Sequence, residues 1–213
     1  MIYCTSVYED EPTHQVMLRL YQFFQGCITE SNAIPCRGNG KIKKQIRAYN
    51  TAAKYGYYFI ITDLDTTYQC APSLIKDWLP EQGSSQLLFR VAVHEIESWL
   101  LADRGNFAAF FSISQKLVPL NPDSEADPKR TVISLAKRSR KREIREAIVP
   151  IDNYVSIGPG YNMQFQNFIQ NIWNIDSARK NSQSLDRAIR SLEKITRREK
   201  GLSLDGLITE SVR

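Results

Sequence analysis

Three short acidic groups carry the chemistry open to this chain: Glu9-Asp10-Glu11, Asp63-Leu64-Asp65 and Glu95-Ile96-Glu97. Carboxylates that meet repel, and two unit charges ~4 Å apart cost ~4 kcal/mol at an effective dielectric of roughly 20. Protons or cations between them remove that cost. Hard oxygen donors select Mg²⁺, Mn²⁺ or Ca²⁺ rather than zinc. The plainer alternative is helix capping, because acids at a helix N-terminus complement its dipole. Residue type alone leaves open which of Glu9, Asp10 or Glu11 would serve as a ligand.

Each group follows an apolar, β-branched run: IYCTSVY (2–8), YYFIIT (57–62) and QLLFRVAV (86–93). These runs predict buried strands. Pro12, just after the first acids, starts a helix with Val16, Leu20 and Phe23 on one face, and Gly26 ends it. Further helices are expected over 42–54 (Ile42, Ile46, Tyr49), near 72–79 behind Pro72, and over His94–Asp103. A fourth strand could hide in 27–36. Arg37-Gly38-Asn39-Gly40-Lys41 reads as a turn and lacks the G-x-x-x-x-G-K-[ST] spacing of a phosphate loop. The alternation through residue 111 predicts an α/β fold, a mainly parallel, Rossmann-like sheet flanked by helices. In such a sheet the strands' carboxyl ends share one edge, where ligands bind. All three acidic groups would meet there.

The charge is uneven. Net charge is +5. Residues 1–112 hold 10 Lys+Arg against 11 Asp+Glu, a net of −1, and residues 113–213 hold 18 against 12, a net of +6. Asn121-Pro122 and Asp127-Pro128 read as a polar loop. One or two helices over 129–147 carry Lys129, Arg130, Lys137, Arg138, Arg140, Lys141, Arg142 and Arg145, with Arg138, Lys141 and Arg145 on a shared face. Helices near 162–173 and 183–199 follow. The expected organisation is an α/β core over 1–112 and a helical basic extension over 113–213 packed on it. Lys137, Arg138, Arg140, Lys141, Arg142 and Arg145 offer a track for a DNA or RNA backbone, with a solvated helix face as the bland alternative.

No apolar run approaches the ~20 residues of a membrane helix, so no membrane partner is expected. The start, MIYCTSVYEDE, lacks the pattern of a secretory signal. Four cysteines at 4, 27, 36 and 70 form no C-x-x-C pair, which fits reduced thiols in the cytoplasm. His94 reads as structural, His14 as a surface residue, and Trp99, Leu100 and Trp173 as core. No order of residues supports a Ser-His-Asp or Cys-His arrangement. The oligomeric state stays open, a homo-oligomer included.

The order acid–helix, buried strand–D-x-D, then a further strand with acids is similar to the Toprim domain of topoisomerases, primases and OLD-type (overcoming lysogenization defect) nucleases. On that resemblance Glu9 matches the first-strand Glu, Asp63 and Asp65 the D-x-D, and Glu95 with Glu97 the later acidic motif. Lys129 matches the Lys further on, with Lys137 as a second choice. The glycine that usually follows the first Glu is absent, Asp10 standing there. The stretches LLFRVAVHEIESWLLAD and DPKRTVISLAKRSRKREIRE also look like small bacterial Toprim-like proteins discussed with phage defence. The resemblance implies a Toprim-like core and Mg²⁺- or Mn²⁺-dependent phosphodiester cleavage by a two-metal, in-line route. Glu9, Asp63, Asp65, Glu95 and Glu97 would hold the metal, and Glu9, Asp63, Asp65, Glu97 and Lys129 would carry catalysis. The resemblance also points to a partner ATPase; this sequence has no Walker motif, so any ATP-driven sensing would come from another chain. The competing class is a non-catalytic nucleic-acid- or protein-binding module with a structural cation. A third is chemistry on a small phosphorylated ligand.

Overall fold

The computed structural model describes residues 1–64, 68–79, 83–152, 154–199 and 201. Four strands form one all-parallel sheet: β1 (Ile2–Tyr8), β2 (Ile28–Pro35), β3 (Tyr57–Asp63) and β4 (Leu87–Ala92), in the spatial order β2-β1-β3-β4. Ten α-helices occur among the described residues. They are α1 (Glu11–Phe23), α2 (Asn39–Ala52), α3 (Ala71–Trp78), α4 (Glu97–Leu101), α5 (Arg104–Phe111), α6 (Pro128–Lys137), α7 (Arg142–Ile148), α8 (Tyr161–Asn171), α9 (Ile175–Ala178) and α10 (Gln183–Glu199). The architecture is α/β and consistent with a Rossmann-like fold. No helix among the described residues is long and apolar enough to cross a membrane.

Helices lie on both faces of the sheet, and β3 at its centre reads as an apolar run for that reason. Phe59, Ile60 and Ile61 of β3 are all fully buried although successive side chains point to opposite faces. Phe59 and Ile61 join a large core with α1, α4 and the later helices, while Ile60 joins a smaller core with α2 and α3. The chain steps from β1 out to β2, then crosses back to β3 on the other side of β1. Crossovers of one hand must change face when the direction reverses, so α1 lies opposite α2 and α3. That reversal puts the topological switch point between β1 and β3, at their carboxyl ends. By the same two-residue period, Asp63 points to the face of Phe59 and Ile61, the face that the later helices cover.

The large core ignores residue 112. Ile2, Phe59 and Trp99 share it with Val132, Tyr161, Trp173, Leu192 and Ile195. Trp173 Nε1 donates to the Trp99 carbonyl at 3.2 Å, and Trp99 Nε1 donates to Ser184 Oγ at 2.6 Å.

Several local expectations change. Residues 28–35 form β2, an edge strand whose pairing with β1 is irregular between Cys4 and Thr5. The turn at 37–41 is shorter than read: Arg37 and Gly38 have φ of 54° and 118°, and Asn39, Gly40 and Lys41 already belong to α2. The helix expected over His94–Asp103 is confined to Glu97–Leu101, leaving Glu95 in the connection from β4. Asp127-Pro128 is no loop break. Asp127 caps α6 by accepting from Arg130 N at 2.8 Å, and Pro128 is its first residue, where a missing N–H costs nothing. Arg138, Lys141 and Arg145 do not share a helix face, because residues 138–141 join α6 to α7. His14 is half-buried rather than fully at the surface. It stacks on Tyr8 with ring centroids 4.2 Å apart, and its Nε2 lies 3.0 Å from Glu30 Oε1.

Candidate functional site

Glu9 stands one residue beyond β1. Its Oε1 accepts two hydrogen bonds from the end of β3, one from the Thr62 hydroxyl and one from the Asp63 backbone N–H at 2.9 Å. The two strands that flank the switch point are thereby tied at their tips. The neighbouring acids do other work. Asp10 caps α1, its Oδ1 accepting from Thr13 N at 3.0 Å and Thr13 Oγ1 at 2.6 Å, and Glu11 Oε1 accepts from Gln15 Nε2 at 2.7 Å. Of the first group, Glu9 hydrogen-bonds to β3, while Asp10 caps α1 with its charge still within reach of Asp63.

Asp63 is the last residue of β3. Its Oδ1 is sealed from solvent and has no hydrogen-bond partner among the described residues. Burial first, then the charges of Glu97, Glu9 and Asp10, hold its carboxyl well above the usual carboxylate range, against the pull of Lys129. Burial also raises Glu9, opposed by the Thr62 and Asp63 hydrogen bonds. Asp65 lies outside the described residues.

Glu97 comes from α4, every residue of which is buried. Its Oε1 accepts from the Tyr161 hydroxyl at 2.7 Å, while Oε2 is buried and unpartnered. Burial pushes the Glu97 carboxyl up to about 7, with Glu95 and Asp10 adding to the shift and Lys129 and Tyr161 opposing it. Tyr161 opens α8 after a tight approach to α7: a Cβ on Gly158 would lie 2.4 Å from the Ala147 carbonyl oxygen, and one on Gly160 2.7 Å from Ala147 Cβ. The glycines let the chain enter α8 at that point.

Lys129 closes the cluster from α6. Its ammonium lies 3.5 Å from Glu95 Oε1 and 3.6 Å from Glu97 Oε1, and its backbone N–H donates to Glu95 Oε2 at 2.8 Å. Burial works to lower the Lys129 pKa, but Glu97, Glu95 and Asp63 outweigh it and raise it. The structure therefore brings Glu9, Asp63, Glu95, Glu97 and Lys129 to one sheet edge. Thr62 and Tyr161 belong to the same cluster and were missed by sequence reasoning. Thr62 is the residue before Asp63, which was a usable signal. Tyr161 stands 64 positions beyond Glu97 and had none.

Donor chemistry fits a hard divalent cation, and two buried carboxylate oxygens are free for one. Among the described residues, no three His, Cys, Asp or Glu side chains are arranged to hold an ion as they stand. The Lys129 ammonium is the cation that Glu95 and Glu97 face.

The basic track lies elsewhere. Lys129 and Lys137 are eight residues apart on α6, about 12 Å along its axis. Lys137, Arg138 and Arg140 are exposed at the far end. Lys141 sits over the Phe110 ring at 5.7 Å, Arg142 pairs with Glu146 at 2.6 Å, and Arg145 Nη1 donates to the Ser139 carbonyl at 2.5 Å. Three of the six residues are thus engaged locally.

No family model, no curated protein and no solved structure matches the chain.

Proposed function

We propose that this chain is a divalent-metal-dependent nuclease whose site is the carboxyl edge of β1, β3 and β4. The observation that carries the reading is the pair of buried oxygens, Asp63 Oδ1 and Glu97 Oε2, without a partner among the described residues and beside a lysine ammonium at the switch-point edge. Buried polar atoms are nearly always satisfied, and the exceptions call for an ion or a catalytic role. Glu9, Asp63, Glu95 and Glu97 would hold Mg²⁺ or Mn²⁺. A divalent ion bound there supplies neutralising charge and Lewis-acid polarisation of a phosphodiester. Glu95 keeps the Lys129 ammonium at the edge of the cluster, where it stabilises the charge that builds on a phosphate in attack. The exposed Lys137, Arg138 and Arg140 guide the nucleic-acid backbone. The Toprim resemblance extends the proposal to a bacterial phage-defence effector, with a separate ATPase chain supplying any ATP-driven step.

The test is cleavage of plasmid DNA and of a structured RNA with Mg²⁺ or Mn²⁺, by wild type and by Asp63→Ala/Asp65→Ala. Metal-stimulated cleavage that the variant loses supports the proposal. Cleavage retained by the variant, or no cleavage and no Mn²⁺ uptake by wild type, overturns it.

A second reading rests on a different observation. Lys129 already neutralises Glu95 and Glu97. That suits a non-catalytic binding module whose acids need no ion. It predicts salt-sensitive nucleic-acid binding without turnover and no heat on titration with Mn²⁺.

A further inference from the structure

We propose that the buried hydroxyls of Thr62 and Tyr161 are positioning residues that aim two of the acids at the bound cation. The inference rests on the metal-dependent reading above and adds two residues to that site.

Both hydroxyls belong to buried side chains, Thr62 at 0% and Tyr161 at 1% exposure. Each donates to one oxygen of one acid. Thr62 takes Glu9 Oε1, the oxygen that Asp63 N also takes, and Tyr161 takes Glu97 Oε1. The donors are concentrated on Oε1 of each carboxylate. That leaves Oε2 of Glu97 buried and without a partner.

The terminal torsion of a glutamate is broad and nearly two-fold. A carboxylate fixed at one oxygen loses that freedom and presents the other in a set direction. Satisfying the hydroxyls alone explains less. Burying an acid is costly, and a buried threonine could bond a backbone carbonyl instead. The two positioning residues come from distant parts of the chain: Thr62 is inside β3, and Tyr161 opens α8 directly after Gly160, whose N–H donates to the Ala147 carbonyl at 2.9 Å. Outer partners that orient metal ligands in this way typically change metal affinity by about 10–100-fold when removed.

The experiment is calorimetric titration of Mn²⁺ into wild type, Thr62→Val, Thr62→Ser and Tyr161→Phe, each with its metal-free thermal midpoint recorded. Val keeps the shape of Thr without the donor, Ser keeps the donor, and Phe keeps the ring. The expected result is an Mn²⁺ affinity about 10–100-fold weaker in Thr62→Val and in Tyr161→Phe, and within about threefold of wild type in Thr62→Ser. If Thr62→Val does not fold, Tyr161→Phe carries the test alone. Wild-type affinity in folded Thr62→Val and Tyr161→Phe overturns the positioning role while leaving the metal site intact. Equal weakening in Thr62→Ser and Thr62→Val also overturns it for Thr62, since packing would then be the cause. Absence of Mn²⁺ binding by wild type overturns the metal reading itself, and this inference with it.

Discussion

Lys129 meets Glu95 twice, once through its ammonium at 3.5 Å from Oε1 and once through its backbone N–H at 2.8 Å from Oε2. A residue at the start of α6 is thereby locked to the connection that leaves β4. The backbone bond adds the positive end of the helix dipole to the ammonium's charge. Together they offset part of the repulsion among the acids.

Lys129→Met removes the charge and keeps the length. Glu97, almost wholly buried, then loses its nearest cation. Breaking a fully buried pair costs roughly 3–5 kcal/mol. Lys129 and Glu95 keep 28% and 27% of their side-chain surface, so screening reduces the expected loss to about 1–3 kcal/mol. Urea unfolding at pH 8 measures it. An unchanged midpoint would mean that the acids are neutral without Lys129.

Stability should also depend on pH through Glu97. Its folded pKa is raised from 4.5 to about 7, so between those values the folded state holds a proton that the unfolded state has lost. Stability from this group is fully present below pH 4.5 and falls as pH rises through about 7. The size is on the order of 3 kcal/mol. Asp63 acts in the same direction. In Glu97→Gln the drop between pH 5 and 7 should shrink. Urea midpoints at pH 5, 6, 7 and 8 for both proteins decide it, and parallel curves would refute the assignment.

Asp63→Asn should separate stability from activity. It removes a buried charge that its neighbours oppose, so the metal-free protein should gain about 1–2 kcal/mol. On the proposed nuclease reading, metal-dependent cleavage should fall by about 10–100-fold or more. A variant that is both less stable and fully active would contradict each part.

The exposed arginines between α6 and α7 make a prediction about salt. Replacing Arg138 and Arg140 with Gln should weaken nucleic-acid binding and lower the slope of log affinity against log salt. The change should be about 1.4 for a single strand or about 1.8 for a duplex. Binding measured across a NaCl series reads both. An unchanged slope would assign these residues to solvent.

Strands β1, β3 and β4 were legible because most of their side chains are buried and so read as short β-branched, aromatic or aliphatic runs, with Tyr3 and Arg90 among the less buried exceptions. The faces of α1 and α2 were legible for the complementary reason: Val16 with Leu20, and Ile42 with Ile46, repeat at helical spacing and are buried. Boundaries were harder wherever one residue type serves two purposes. Asp127-Pro128 opens a helix as readily as it makes a turn. Residue type left Glu9, Asp10 and Glu11 open as ligands, since a carboxylate suits a cap as well; Asp10 caps α1. The edge strand β2 was faint because its outer side chains face water and carry no alternation. Glu95 was misplaced onto a helix because its backbone leaves β4 through a turn that residue types do not announce. Tyr161 lay beyond reach, since nothing local ties it to a glutamate so far back in the chain.

The shared core across residue 112 has a consequence for how the protein comes into being. Synthesis delivers Glu9, Asp63, Glu95 and Glu97 first. Their ammonium counter-charge arrives with residue 129 and the hydroxyl that holds Glu97 with residue 161. Until then the nascent chain carries these carboxylates without Lys129, on a sheet face that α1, α4 and α5 cover only in part. The acidic edge is therefore complete only after the chain has been made through Tyr161.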